Sequence, residues 1–138
     1  MTDQKTILEQ INSPSDLRGL PNDRLEQLAE EMRERITEVV CECGGHLASN
    51  LGVVELTIAL HRAFDFEKDR LFFDVGHQCY PHKLLTGRNE GFDTLRSCDG
   101  LSGFPSPCES DYDACVAGHA SAAISSALGY SLAVGPDG

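Results

Sequence analysis

Basic residues are scarce in this chain: 11 lysines and arginines stand against 22 acids, for a formal net charge of −11. They are also scattered, with Arg33, Arg35, Lys68, Arg70, Lys83 and Arg88 well apart. No basic stripe exists to displace the counterions of a nucleic acid. A phosphorylated small ligand stays open, because a few local donors suffice to hold one. No apolar run approaches the length of a membrane span. The opening Met1-Thr2-Asp3-Gln4-Lys5-Thr6 lacks the basic start and apolar centre of a signal peptide. Internal repeats and low-complexity tracts are missing as well. These absences predict a cytoplasmic protein that binds neither nucleic acid nor membrane, and 138 residues allow one domain with a real core.

The six cysteines, Cys41, Cys43, Cys79, Cys98, Cys108 and Cys115, read as free thiols in that compartment. Cys41 and Cys43 with nearby His46 raise the alternative of a small zinc protein. Residues i and i+2 point to different sides of a helix, however, so no metal site is predicted.

Residues 1–21 read as a lead-in with one helical turn around Ser15-Asp16-Leu17, closed at Leu20-Pro21. Asn22 or Asp23 offers a cap, and Leu25, Leu28, Met32, Ile36, Val39 and Val40 then recur at helical spacing up to Gly44-Gly45. A second, mostly apolar helix fits Val53 to Phe64. Leu71-Phe72-Phe73-Asp74-Val75 has the continuous apolar character of a short strand buried on both faces. Pro81 starts a helix through Leu85, which Gly87 ends. A long glycine- and proline-bearing loop spans Asn89 to Asp113, and its length points to a functional or a disordered segment rather than a mere connection. Its acids Glu109, Asp111 and Asp113 read as solvated charges. Ala114-Cys115-Val116 is a second short strand, followed by a small-residue helix from Ala122 to Val134. That order predicts an α/β fold, a parallel sheet with helices on both faces, over residues 22–138.

Chemistry concentrates where glycine precedes histidine. Both expected strands run into Gly-His, as Gly76-His77 and Gly118-His119, and ligands of open α/β sheets bind beyond the carboxyl ends of strands. Small residues after His119 leave backbone N–H groups at a helix start free for an anion such as a diphosphate. His46, between Gly45 and Leu47, adds an imidazole that titrates near neutral pH and can pass a proton. His61 and His82 are weaker candidates, the first on a buried helix.

Three strings carry a family resemblance: Gly44-Gly45-His46-Leu47-Ala48-Ser49-Asn50-Leu51-Gly52-Val53-Val54-Glu55-Leu56-Thr57, Asp74-Val75-Gly76-His77-Gln78-Cys79-Tyr80-Pro81-His82-Lys83-Leu84-Leu85-Thr86-Gly87-Arg88, and Gly100-Leu101-Ser102-Gly103-Phe104-Pro105. With Glu109-Ser110-Asp111-Tyr112-Asp113 and Gly118-His119, they resemble the start of the 1-deoxy-D-xylulose-5-phosphate synthases. Those are thiamine-diphosphate enzymes related to transketolase. The resemblance runs from about Leu20 to the end of the chain.

It implies an incomplete thiamine-diphosphate-binding, transketolase-like domain, the N-terminal part of an enzyme that joins pyruvate and glyceraldehyde 3-phosphate with loss of CO2. By the same resemblance His46 is the active-site histidine, His77 contacts the cofactor, and Gly118, His119 and Ala120 hold its diphosphate. The family's usual Gly-His-Ser-Ser-Thr is here Gly118-His119-Ala120-Ser121-Ala122, which keeps backbone donors and loses two hydroxyls. The Gly-Asp-Gly motif and asparagine that bind Mg2+ in the family are not found, and Pro136-Asp137-Gly138 does not replace them. The expectation is therefore an N-terminal fragment, inactive alone, of an enzyme that works as a homodimer. Alternatives are a related thiamine-diphosphate enzyme with another acceptor, or a non-catalytic partner module of a split enzyme.

Overall fold

The computed structural model describes residues 5–135. Six α-helices order them: α1 (Pro14–Arg18), α2 (Leu25–Cys43), α3 (Leu47–Leu51), α4 (Val54–Ala63), α5 (Tyr80–Leu85) and α6 (Ala123–Val134). The Pro136-Asp137-Gly138 reading lies outside the described residues.

α2 is the spine. Its apolar series buries Leu28, Met32, Ile36 and Val39 while its charges stay outside, the division expected of an amphipathic helix. A 3-10 turn at Asn22–Arg24 precedes it, so no side-chain cap is made by Asn22 or Asp23. The helix stops where Gly44 takes φ +74°, its N–H bonded to the Val40 carbonyl at 2.9 Å; that left-handed turn suits glycine. α4 and α5 pack on α2 and on each other. Ile7, Leu8, Ile11 and Leu17 of the lead-in join the same core as Val54, Ile58, Tyr80, Leu84, Phe92 and Leu95. α3, a single turn between the glycine corner and α4, is shorter than apolar periodicity can signal.

The expected parallel sheet is not there: among the described residues no β-strand forms. Residues 71–73 are half-buried and belong to no helix or strand, and no backbone–backbone hydrogen bond joins them to residues 114–116 among those of the described chain. The cause is local. Val75 takes φ +69° and Gly76 φ +81°, so the chain leaves extended geometry where the strand would continue, in a region a β-branched residue rarely enters. The side chains are engaged by helices instead. Phe73 packs on His82 with ring centres 5.4 Å apart, and Phe72 meets Tyr130 of α6 at 5.6 Å. Two short segments, one ending in a Val116 that is 73% exposed, cannot sustain a sheet without further strands. The apolar run that reads as a strand is thus a half-buried strap across helices. α6 lies outside the core and exposes Ile124, Leu128 and Leu132.

Candidate functional site

The corner before α3 and the corner before α5 meet. His46 is the residue preceding α3, with φ −97° and ψ 95°, and its exposed ring stands edge-on to His77, centres 5.2 Å apart at 68°. Phe104, from the long loop, lies 6.4 Å from the His46 ring. His46, Tyr80, Arg96, Leu101, Ser102 and Phe104 line a cleft of ≈ 420 Å³. A larger cavity of ≈ 590 Å³ between α2 and α4 is lined by acids, Arg62 and apolar groups and holds no imidazole.

Backbone fit holds the two corners at this distance. Gly45 takes φ +140°, and a Cβ there would stand 2.7 Å from the Tyr80 hydroxyl. A Cβ on Gly76 would stand 2.6 Å from Pro105 Cδ and 3.3 Å from the Ala117 methyl. Glycine is required at both places, by conformation and by space. Ala117 against Gly76 also brings the second Gly-His corner beside the first. Beyond it, Gly118, His119 and Ala120 are exposed. No hydrogen bond or ring pairing of His119 with His46 or His77 is present among the described residues. The start of α6 already serves an anion: the Ala122 N–H donates to the Asp74 carboxylate at 3.2 Å, as helix N-termini favour.

One atom behind the His46 ring is left without a partner. His77 Nδ1 is buried and has no hydrogen-bond partner among the described residues. A buried polar atom left so loses stability, on the order of 1–3 kcal/mol, unless a ligand or water completes it.

His61 and His82 belong to a different construction. His61 Nδ1 lies 2.8 Å from the Thr57 carbonyl, its Nε2 lies 2.8 Å from His82 Nδ1, and His82 Nε2 lies 2.9 Å from Asp113 Oδ1. Asp113 is buried rather than solvated, and Glu109 is half-buried against the fully buried Lys83. Each Asp113 oxygen accepts two hydrogen bonds: Oδ1 from His82 and Arg88, Oδ2 from Arg88 and the Ser106 N–H. Only a carboxylate satisfies four converging donors. Burial pushes the Asp113 carboxyl up, but the bonds from His82 and Arg88 outweigh it and hold it below the usual carboxylate range.

Burial pushes His82 down, and it lowers His61 to about 3 with help from the neighbouring His82. Arg88 and Lys83 already balance Asp113 and Glu109, so a further positive charge in this buried group is unfavourable. Two neutral rings carry two protons for three contacts. The carboxylate is the strongest acceptor and draws the His82 Nε2 proton, which leaves His61 one proton for two contacts, with the Thr57 carbonyl and with His82 Nδ1. This network fastens the 102–113 loop to α4 and α5. The sequence contains its residues but not their pairing, since 21 to 31 positions separate the partners.

Cys41 and Cys43 are exposed on the last turn of α2. No group of three His, Cys, Asp or Glu side chains among the described residues is placed to hold a metal ion. No helix among them is long and apolar enough to cross a membrane.

Comparison with known proteins places the chain. Residues 8–137 match the family profile described as 1-deoxy-D-xylulose-5-phosphate synthase. A protein of that name from Dechloromonas aromatica (strain RCB) is 58% identical over 127 residues, 92% of this chain and 21% of its own length. The one from Azobacteroides pseudotrichonymphae genomovar. CFP2 is 57% identical over 128 residues, 93% of this chain and 20% of its own. The Chlamydia pneumoniae protein is 60% identical over 124 residues, 89% of this chain and 19% of its own. The chain belongs to the 1-deoxy-D-xylulose-5-phosphate synthase family. It spans about a fifth of the length of these relatives.

Proposed function

We propose that this chain supplies cofactor-facing residues to a thiamine-diphosphate-dependent transferase. That enzyme joins pyruvate to glyceraldehyde 3-phosphate with release of CO2, serving isoprenoid and thiamine precursor synthesis in the cytoplasm. The observation that carries the reading is the partnerless, buried Nδ1 of His77 beside the exposed ring of His46 at the mouth of a cleft. Family membership supports it.

Thiamine diphosphate, when bound, supplies the electron sink for the decarboxylation and carbon–carbon bond formation. His46 takes up and returns a proton beside the reacting centre, a task an imidazole ring, able to donate or accept, suits. His77 Nδ1 gives or accepts one hydrogen bond that fixes the cofactor. Gly118, His119 and Ala120 offer backbone N–H groups to its diphosphate, with the Asp74 carboxylate as a competitor at the helix start. The described residues fit no Mg2+ site, so no step here uses the metal, and its ligands belong to other parts of such an enzyme. The assembly acts as a homodimer.

The test is a chimera in which this chain replaces the matching fifth of the Dechloromonas aromatica protein. Product formation from pyruvate and glyceraldehyde 3-phosphate is expected, with His46→Ala reducing it by about 10²-fold or more, the scale of a lost proton-transfer group. A chimera that folds and binds the cofactor but ignores both substrates would refute the reading. Full activity of the His46→Ala form would refute the role of His46.

A further inference from the structure

Asn50 joins the two histidine corners. Its side chain is fully buried. The amide nitrogen donates to the His46 carbonyl at 2.5 Å and to the His77 carbonyl at 2.9 Å, and Oδ1 accepts the Tyr80 N–H at 3.0 Å. Two carbonyls can only accept and a backbone N–H can only donate, so the amide has one possible orientation. One bond is local, four positions back, and the other two reach residues 27 and 30 positions further along the chain. Tyr80 closes the arrangement from the other side, because its hydroxyl accepts the His46 N–H at 3.5 Å. No other side chain among the described residues bonds to the main chain of both histidines.

We propose that Asn50 is a positioning residue. It sets the separation and edge-on angle of the His46 and His77 rings, and so the geometry of the cleft mouth. Its functional meaning rests on the reading of His46 and His77 given above. Aspartate is the sharpest probe, being the same size. It would place oxygens against both carbonyls and remove the two donors, and a charge left there has no cationic partner among the contacts of Asn50. Serine is the milder probe, too short to reach both carbonyls.

The experiment is NMR on the full chain, following the cross-peak between the His46 and His77 ring protons in wild type, Asn50→Asp and Asn50→Ser. Ile36→Val, a remote core change on α2, provides a general loss of stability for comparison. The expected result is a clear cross-peak in wild type and Ile36→Val, and its loss in Asn50→Asp. If Asn50→Asp does not fold, Asn50→Ser gives the same readout, with loss expected. A cross-peak that persists at wild-type strength in a folded Asn50 variant overturns the proposal, and so does its equal loss in Ile36→Val. Thiamine diphosphate added to wild type separates the two ideas. If neither ring resonance shifts, the cofactor reading fails by itself. A cross-peak that survives removal of the Asn50 amide ends the positioning role by itself.

Discussion

Replacing Asp113 with asparagine should be among the most damaging isosteric changes in this chain. The carboxylate receives four donors on two oxygens: His82 Nε2, both terminal nitrogens of Arg88 and the Ser106 N–H. Asparagine turns one oxygen into an NH2 group, so two donors face a donor, and the buried Arg88 keeps only Glu109, at 3.3 Å and already shared with Lys83, as its charge partner. Removing one member of a buried ion pair costs about 3–5 kcal/mol, a large part of the ~5–15 kcal/mol by which native domains are stable. With a urea slope of about 2 kcal/mol per molar, the unfolding midpoint should fall by roughly 2 M. The assay is urea denaturation followed by far-ultraviolet circular dichroism. Arg88→Met alone and the double variant complete a cycle. The double should lose less than the sum of the singles, with a coupling of about 2 kcal/mol. A loss under about 1 kcal/mol for Asp113→Asn, the range of ordinary surface changes, would refute the network as a structural centre.

Acid should weaken the same centre. Burial holds the folded-state His61 at about 3 against an ordinary 6.5, so between those values the unfolded chain binds the proton that the folded chain refuses. Stability is therefore full above pH 6.5 and falls as pH drops toward 3, by up to about 1.4 kcal/mol per pH unit for one proton. Urea midpoints between pH 6.5 and 4.5 read this effect, to which His82, also pushed down by burial, adds in the same direction; His61→Phe should reduce the slope, and a flat wild-type profile contradicts the assignment. Burial also raises the Cys79 thiol to about 12, while Cys41, Cys43, Cys98 and Cys108 are exposed. A thiol reagent at neutral pH should label those four within one fast phase and spare Cys79 until the protein unfolds, and fast labelling of Cys79 would show that the α5 packing is wrong.

The helices were legible because their signals are short-range. Apolar residues at three- and four-residue spacing define α2 and α4, and glycine at 44 and 87 marks where helices end. The histidine corners were legible for a similar reason, since glycine beside a polar residue flags close backbone approach. The sheet was misread because an apolar run of five residues is consistent with either a buried strand or a strap over helices. The decision came from Val75 in a left-handed conformation that periodicity does not encode. Asp113 and Glu109 look like solvated loop acids in isolation. Their burial depends on Arg88, Lys83 and His82 arriving from elsewhere in the chain. Asn50 carries no signal of its own beyond its place next to His46. Its role is visible only once the two corners are seen to meet.

The most direct measurement is a thiamine diphosphate titration of the chain, with the His77 ring nitrogens followed by 15N NMR. The account predicts a saturable shift of Nδ1, the buried atom without a partner, accompanied by a change at the His46 ring. A titration that leaves both rings unmoved while His119 or another residue responds would contradict the assignment of this cleft to the cofactor.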